Sequence, residues 1–140
     1  MSKTGPIILV EDDDHDIDIV KSVLAENNVK NEIVCFKRGE DVINYLLETV
    51  QKPFLILCDV RMQGMNGLEL RNAINHNETL RKRSIPFVFF TAAVSKEIVS
   101  EAYDLTVQGF LQKPYTYGEL RDTLHKTIEY WSICLHPNSF

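Results

Sequence analysis

The unbroken apolar run Phe54-Leu55-Ile56-Leu57-Cys58, opened by Pro53 and closed by Asp59, constrains this chain more than any other stretch. Apolar residues at every position, instead of every second one, describe a strand buried on both faces, as in parallel sheets covered by helices on each side. In such an open sheet, reactive groups gather just outside the carboxyl ends of the strands. Asp59, followed by the loop Val60-Arg61-Met62-Gln63-Gly64-Met65-Asn66-Gly67, is therefore a candidate for chemistry. The plain alternative is a turn or capping Asp, which is common wherever a strand stops.

The remaining elements follow the same alternation. Ile7-Ile8-Leu9-Val10 reads as a first strand that stops on Glu11-Asp12-Asp13-Asp14, and Ile17, Val20 and Leu24 then take helical spacing from about Asp16 to Asn27, with Asp13 or Asp14 as cap and Asn27-Asn28 as the close. Glu32 to Phe36 is a second strand, and Gly39 to Thr49 a helix with Val42, Ile43, Leu46 and Leu47 inward. After Gly67 a third helix carries Leu68, Leu70, Ala73 and Ile74. The polar segment His76 to Ser84, with Leu80 as an anchor for an extra turn, then delays the fourth strand, Pro86 to Phe90. Ser95 caps a fourth helix with Ile98, Val99, Ala102 and Leu105; Val107 to Leu111 is a fifth strand. The last helix, about Thr116 to Trp131, places Tyr117, Leu120, Leu124, Ile128 and Trp131 on one face, and the tail 132–140 has no clear period. Five strands alternating with five helices predict a doubly wound α/β sheet, in one domain of residues 1–140 with a core of about 6–131.

Composition removes several function classes. A formal net charge of -5, with Arg81-Lys82-Arg83 as the one compact basic run, disfavours direct nucleic-acid binding, and that run reads as a solvated patch. Three widely spaced cysteines, Cys35, Cys58 and Cys134, lack metal-ligand spacing and fit a reducing, cytoplasmic setting. No apolar stretch reaches the roughly 18 residues of a membrane span, so no membrane insertion is expected. His15, His76, His125 and His136 read as surface histidines, and Tyr103, Tyr115, Tyr117, Tyr130 and Trp131 mostly as partly buried core or rim residues, with a partner surface on the last two helices as the alternative.

Right-handed crossovers bring the strand ends to one edge, where Glu11 and Asp12, Asp59, Thr91 and Lys113 fall together. Clustered carboxylates repel unless a cation neutralises them, and hard oxygen donors suit Mg²⁺. Asp59 is placed as a nucleophile forming an acyl phosphate, Lys113 as its counter-charge and Thr91 as a hydroxyl donor to a phosphoryl oxygen.

In Ile8-Leu9-Val10-Glu11-Asp12-Asp13, Cys58-Asp59-Val60-Arg61-Met62, Gly64-Met65-Asn66-Gly67-Leu68-Glu69-Leu70, Phe90-Thr91-Ala92 and Gly109-Phe110-Leu111-Gln112-Lys113-Pro114, the chain resembles a receiver domain of two-component response regulators. It is most similar to stand-alone, chemotaxis-regulator-like members without an output domain. The resemblance implies a flavodoxin-like strand order 2-1-3-4-5 and Mg²⁺-dependent phosphorylation of Asp59 by a sensor histidine kinase or histidine phosphotransfer protein. It implies a divalent ion, Mg²⁺ or Mn²⁺, on Asp12, Asp59 and the Arg61 backbone carbonyl, with Glu11 acting mainly through water. Thr91 and Phe110 would be switch residues, Lys113-Pro114 a cis peptide, and Arg61 and Ala93 positions that tune acyl-phosphate hydrolysis. Such a domain is a signalling phosphoacceptor, not an enzyme in its own right, whose output is an altered surface for a downstream protein; a homodimer through the fourth and fifth helices also fits. The segment before the fourth strand and the tail resemble regulators associated with phytochrome-type kinases. Two departures stand out: Met62-Gln63 replaces the usual Met-Pro, which is expected to loosen the loop, and Phe110 lacks a hydroxyl.

Competing chemistries lack their residues. A haloacid-dehalogenase-type phosphohydrolase wants a second Asp two residues after the nucleophile, where Arg61 stands. No Gly-x-Gly-x-x-Gly follows the first strand, and no Walker lysine motif occurs. A receiver that has lost its chemistry and serves as a pure interaction domain stays open as an alternative, disfavoured by the presence of all of Glu11, Asp12, Asp59, Thr91 and Lys113.

Overall fold

A computed structural model describes residues 2–137; the last three residues of the expected tail, 138–140, lie outside it. After a short 3₁₀ turn the elements are β1 (Ile7–Val10), α1 (Asp14–Glu26), β2 (Ile33–Phe36), α2 (Gly39–Glu48), β3 (Leu55–Cys58), α3 (Gly67–His76), α4 (Glu78–Lys82), β4 (Phe87–Thr91), α5 (Lys96–Asp104), β5 (Gly109–Gln112) and α6 (Tyr117–Ile133). The five strands are all parallel, in the flavodoxin-like order β2-β1-β3-β4-β5.

Successive strand residues point to opposite faces, and each face has its own cover. Ile8, Val10, Ile56, Cys58, Phe87 and Phe89 pack with Val42 and Leu46 of α2, Leu70 and Ile74 of α3, and Ala102 of α5. Ile7, Leu9, Leu55, Leu57, Val88 and Phe90 pack with Val20, Val23 and Leu24 of α1 and Leu120 and Leu124 of α6. β1, β3 and β4 are buried along their whole length, whereas the edge strands β2 and β5 are only half-buried. No helix among the described residues is long and apolar enough to cross a membrane.

The structure departs from the expected pattern in five places. Among the described residues there are six α-helices, not five, because the extra turn expected at Leu80 forms a helix of its own: Asn77 caps it by accepting from the Leu80 backbone N–H at 3.1 Å, and Leu80 is buried. In the basic run, Arg83 is half-buried: its guanidinium donates to the Leu46 and Gln51 carbonyls, each at 2.5 Å, at the C-terminal end of α2. Leu47 is exposed, since Val42 and Leu46 already share the inward line at i, i+4 and Leu47 lies a further 100° round the helix. Tyr117 lies at the start of α6, where its hydroxyl donates to Glu26 Oε2 at 2.7 Å, and Tyr103, Tyr115 and Tyr130 are exposed with it. Finally, the chain after α6 turns back so that His136 is buried against Phe54 and Trp131, not on the surface.

Candidate functional site

Parallel pairing continues one residue past the strands and aligns the site. The Asp59 N–H donates to the Val10 carbonyl at 2.9 Å, that of Glu11 to Phe36 at 3.0 Å, and that of Lys113 to Thr91 at 2.9 Å. Gly67 sets the depth of the following loop. A Cβ there would stand 2.2 Å from the Asp59 carbonyl oxygen and 2.8 Å from the Phe89 ring, so only glycine lets α3 begin this close. Asn66 and Glu69 close the helix start with a reciprocal capping box, and Gly64 takes a left-handed φ of 74° in the loop between.

The side chains converge on Asp59. Its Oδ1 accepts from the Thr91 hydroxyl at 2.5 Å and from the Arg61 backbone N–H at 3.3 Å; its Oδ2 accepts from Lys113 Nζ at 3.2 Å. Thr91 is fully buried and its oxygen also accepts from the Ala93 N–H at 3.1 Å, which fixes the hydroxyl's direction. Lys113 Nζ donates as well to Glu11 Oε1 and, at 3.0 Å, to Asp16 Oδ2. Asp12 faces the loop, where its Oδ2 accepts from the Gln63 N–H at 3.1 Å. The result is an open cleft of about 360 Å³ lined by Asp16, Asp59, Arg61, Thr91, Ala92, Ala93, Val94 and Lys113.

Four carboxylates against one ammonium leave a surplus of negative charge. Burial pushes the Glu11 carboxyl up to about 7; the bond from Lys113 opposes this and the neighbouring Asp59 reinforces it. Lys113 loses hydration by burial, but its bond to Glu11 and the charges of Asp59 and Glu11 outweigh that loss and raise its affinity for the proton. It stays an ammonium.

A divalent ion suits this donor set of hard oxygens, buried and under-neutralised. As the side chains stand, however, Glu11 and Asp59 are engaged by Lys113 and Asp12 by the loop, and among the described residues no three acidic, His or Cys groups converge as a formed metal cage.

The family model for the response regulator receiver domain matches residues 7–125. The chain belongs to that family. It is 28% identical over 130 residues to chemotaxis protein CheY-3 of Vibrio cholerae, covering 92% of this chain and 95% of that one. Among solved structures it matches the phosphorylated cyanobacterial phytochrome response regulator RcpA with a TM-score of 0.83 at 26% identity, covering 94% of this chain and 96% of that one. It matches the Mn(2+)-bound form of response regulator Rcp1, a Synechocystis protein, with a TM-score of 0.80 at 25% identity over the same shares. Divalent-metal binding thus occurs among its relatives, and receiver domains are signalling domains of two-component systems.

Against this background the receiver's own departures gain meaning. Gln63, where the family resemblance leads one to expect proline, supplies a backbone N–H that proline lacks, and that N–H ties the loop to Asp12 instead of loosening it. The Lys113–Pro114 peptide, which the resemblance implied to be cis, is trans, as are all described peptides; trans is the lower isomer by about 0.5–1 kcal/mol in X–Pro amides. The Phe110 ring is half-buried with its centroid 5.7 Å from that of Phe89, whose own ring lies against Gly67. The strand-end reading missed Asp16 and Arg71. Asp16 was readable only as a helix-start residue, and Arg71 is a buried cation on α3 that donates to the Leu105 and Thr106 carbonyls at 3.1 and 2.9 Å beyond α5.

Proposed function

We propose that this receiver is a phosphoacceptor of two-component signalling in which Asp59 takes a phosphoryl group from a phosphohistidine on a histidine kinase or phosphotransfer protein. The observation that carries the reading is the division of the Asp59 carboxylate, with Oδ1 on the Thr91 hydroxyl and Oδ2 on the Lys113 ammonium. Donors already surround the carboxylate where charge must develop on the incoming group. One Asp59 oxygen attacks phosphorus; the new O–P bond forms as the P–N bond breaks, and the electron pair stays with the imidazole nitrogen. Lys113 then pairs with a phosphoryl oxygen and the Thr91 hydroxyl turns to another. Mg²⁺, or Mn²⁺, would be held by Asp12, Asp59 and the Arg61 backbone carbonyl with Glu11 behind them, and would neutralise phosphoryl charge.

The movement of Thr91 opens space beside Phe110 and so shifts α5 and β5 between two packings, which changes what binds there. The exposed Tyr103 on α5 supports this face as the contact surface for a downstream protein or a second copy. Slow hydrolysis of the acyl phosphate, tuned by Arg61 and Ala93 at the cleft, returns the domain to its resting state. The test is intact mass after incubation with Mg²⁺ and acetyl phosphate: wild type gains one phosphoryl group, while Asp59→Asn and a chelator-treated sample do not. Equal gain in Asp59→Asn would refute the assignment.

A further inference from the structure

Lys113 is shared among three carboxylates, and one of them, Asp16, stands outside the strand-end set. An ammonium has three N–H donors, and Glu11, Asp16 and Asp59 take all of them. The bond to Asp16 Oδ2 is 3.0 Å and that to Asp59 Oδ2 is 3.2 Å. The position of Asp16 is set locally. Asp13 caps α1 by accepting from the His15 and Asp16 backbone N–H groups at 2.8 and 3.2 Å, which fixes the turn from which Asp16 reaches the cleft. The side chains of Glu11 and Asp59 are 4% and 13% exposed, but that of Asp16 is 38% exposed. Asp16 is the acid at the mouth, on the path of anything approaching Asp59 beside Arg61 and Thr91.

We infer that Asp16 is a positioning and selectivity residue for phosphoryl transfer, holding Lys113 back on the α1 side of Asp59 and setting a negative charge against small anionic phosphodonors. The inference rests on Asp59 being the phosphoacceptor. A phosphoryl group on Asp59 carries nearly two negative charges and three acceptor oxygens, so it competes with Asp16 for one Lys113 N–H and is repelled by what remains. Asp16 is the partner Lys113 gives up most easily, because its half-exposed carboxylate is rehydrated on release, whereas releasing Glu11 would strand a buried one. A small acyl phosphate meets the full repulsion. A protein donor that places a cation against Asp16 would offset it, so the same residue favours protein donors over small ones.

The test uses the full chain, Mg²⁺ and acetyl phosphate, with phosphoryl uptake followed by intact mass in wild type, Asp16→Asn and Asp16→Glu. Ionic strengths of about 0.01 M and about 1 M change the screening length roughly tenfold. Asp16→Asn is expected to raise the initial rate roughly three- to tenfold at low ionic strength and to lose most of that gain at high, while Asp16→Glu stays within about twofold of wild type. A rate that is unchanged or slower in Asp16→Asn, a gain indifferent to salt, or a Glu variant that behaves like the Asn variant would overturn the inference. Calorimetric titration with Mg²⁺ provides a second readout: removing the charge is expected to weaken Mg²⁺ binding by a comparable factor, roughly three- to tenfold at about 0.01 M, with the loss screened away at about 1 M, so uptake is followed at saturating Mg²⁺. A loss of Mg²⁺ affinity that persists at high ionic strength would make Asp16 a metal ligand and overturn the inference as well. Absence of phosphoryl uptake in wild type, or equal uptake in Asp59→Asn, brings down the phosphoacceptor reading and this inference with it. Normal behaviour of those two with no Asp16 effect brings down the inference alone.

Discussion

Asp59 is held by three donors, the local Arg61 N–H two residues on, and the Thr91 hydroxyl and Lys113 ammonium, which would not find it without the sheet. Gly67 shows how little room the arrangement has. Because the missing Cβ would meet the Asp59 carbonyl oxygen, a backbone atom that cannot swing away, Gly67→Ala must push α3 or the loop outward. The expected cost is about 1–3 kcal/mol in urea denaturation, with slower phosphoryl uptake at Asp59; an unchanged midpoint would mean the loop yields freely. Asp59, Thr91 and Lys113 were legible in the sequence because parallel topology converts "last polar residue of a strand" into a position in space. Asp16 and Arg71 were not. Their partners lie 97 and 34 residues away, and neither residue ends a strand.

At the level of elements, the strands read clearly because runs such as Ile7 to Val10 and Phe87 to Phe90 are apolar at every position, which only two-sided burial explains. α4 read only as an extra turn anchored by Leu80, since Glu78–Lys82 has five residues and too little length to show a period. It exists because Asn77 caps it and Leu80 anchors it. The tail escaped for a related reason: one His136 packing on Phe54 and Trp131 leaves no pattern. α5 has the thinnest hold on the sheet, with Ala102 as its one fully buried side chain, and its C-terminal end is held from α3 instead. Arg71 reaches the Leu105 and Thr106 carbonyls while its guanidinium lies 5.3 Å from the Phe87 ring centre, and Asn75 Nδ2 reaches Leu105 at 2.7 Å. Phe87, Phe89 and Phe110 stack onward in centroid steps of 5.2 and 5.7 Å, so this clamp and the residue proposed as the aromatic switch share one row of rings. Arg71→Ala is expected to lose about 1–3 kcal/mol and to speed amide exchange across residues 101–109 more than in α1. Uniform exchange changes would show that the clamp is not local.

Across the whole molecule, the two helical layers are tied at different places. On one face α1 and α6 meet through Glu26, which accepts from the Tyr117 hydroxyl and from Arg121 Nη1 at 3.1 Å. Those bonds hold the Glu26 carboxyl below its ordinary value of 4.5, the Tyr117 bond most strongly. A depressed folded value contributes stability above the unfolded pKa and loses it as pH falls through the folded one. The stability gap between wild type and Tyr117→Phe should therefore be present at pH 7 and close below 4.5 in paired urea titrations; a gap that persists in acid would assign it to packing. At the other end of the strands, the strand ends and the start of α1 bring one hydroxyl, one ammonium and four carboxylates together, and the decisive question is which atom there becomes covalently modified. Borohydride reduction of the acetyl phosphate-treated protein, followed by peptide mass mapping, reads that atom directly. An aspartyl phosphate at residue 59 is reduced to homoserine, and homoserine is expected at that position alone, dependent on Mg²⁺. Homoserine at Asp12, Asp16 or another acid, or none anywhere with Mg²⁺ present, would contradict the assignment of Asp59 as the phosphoacceptor.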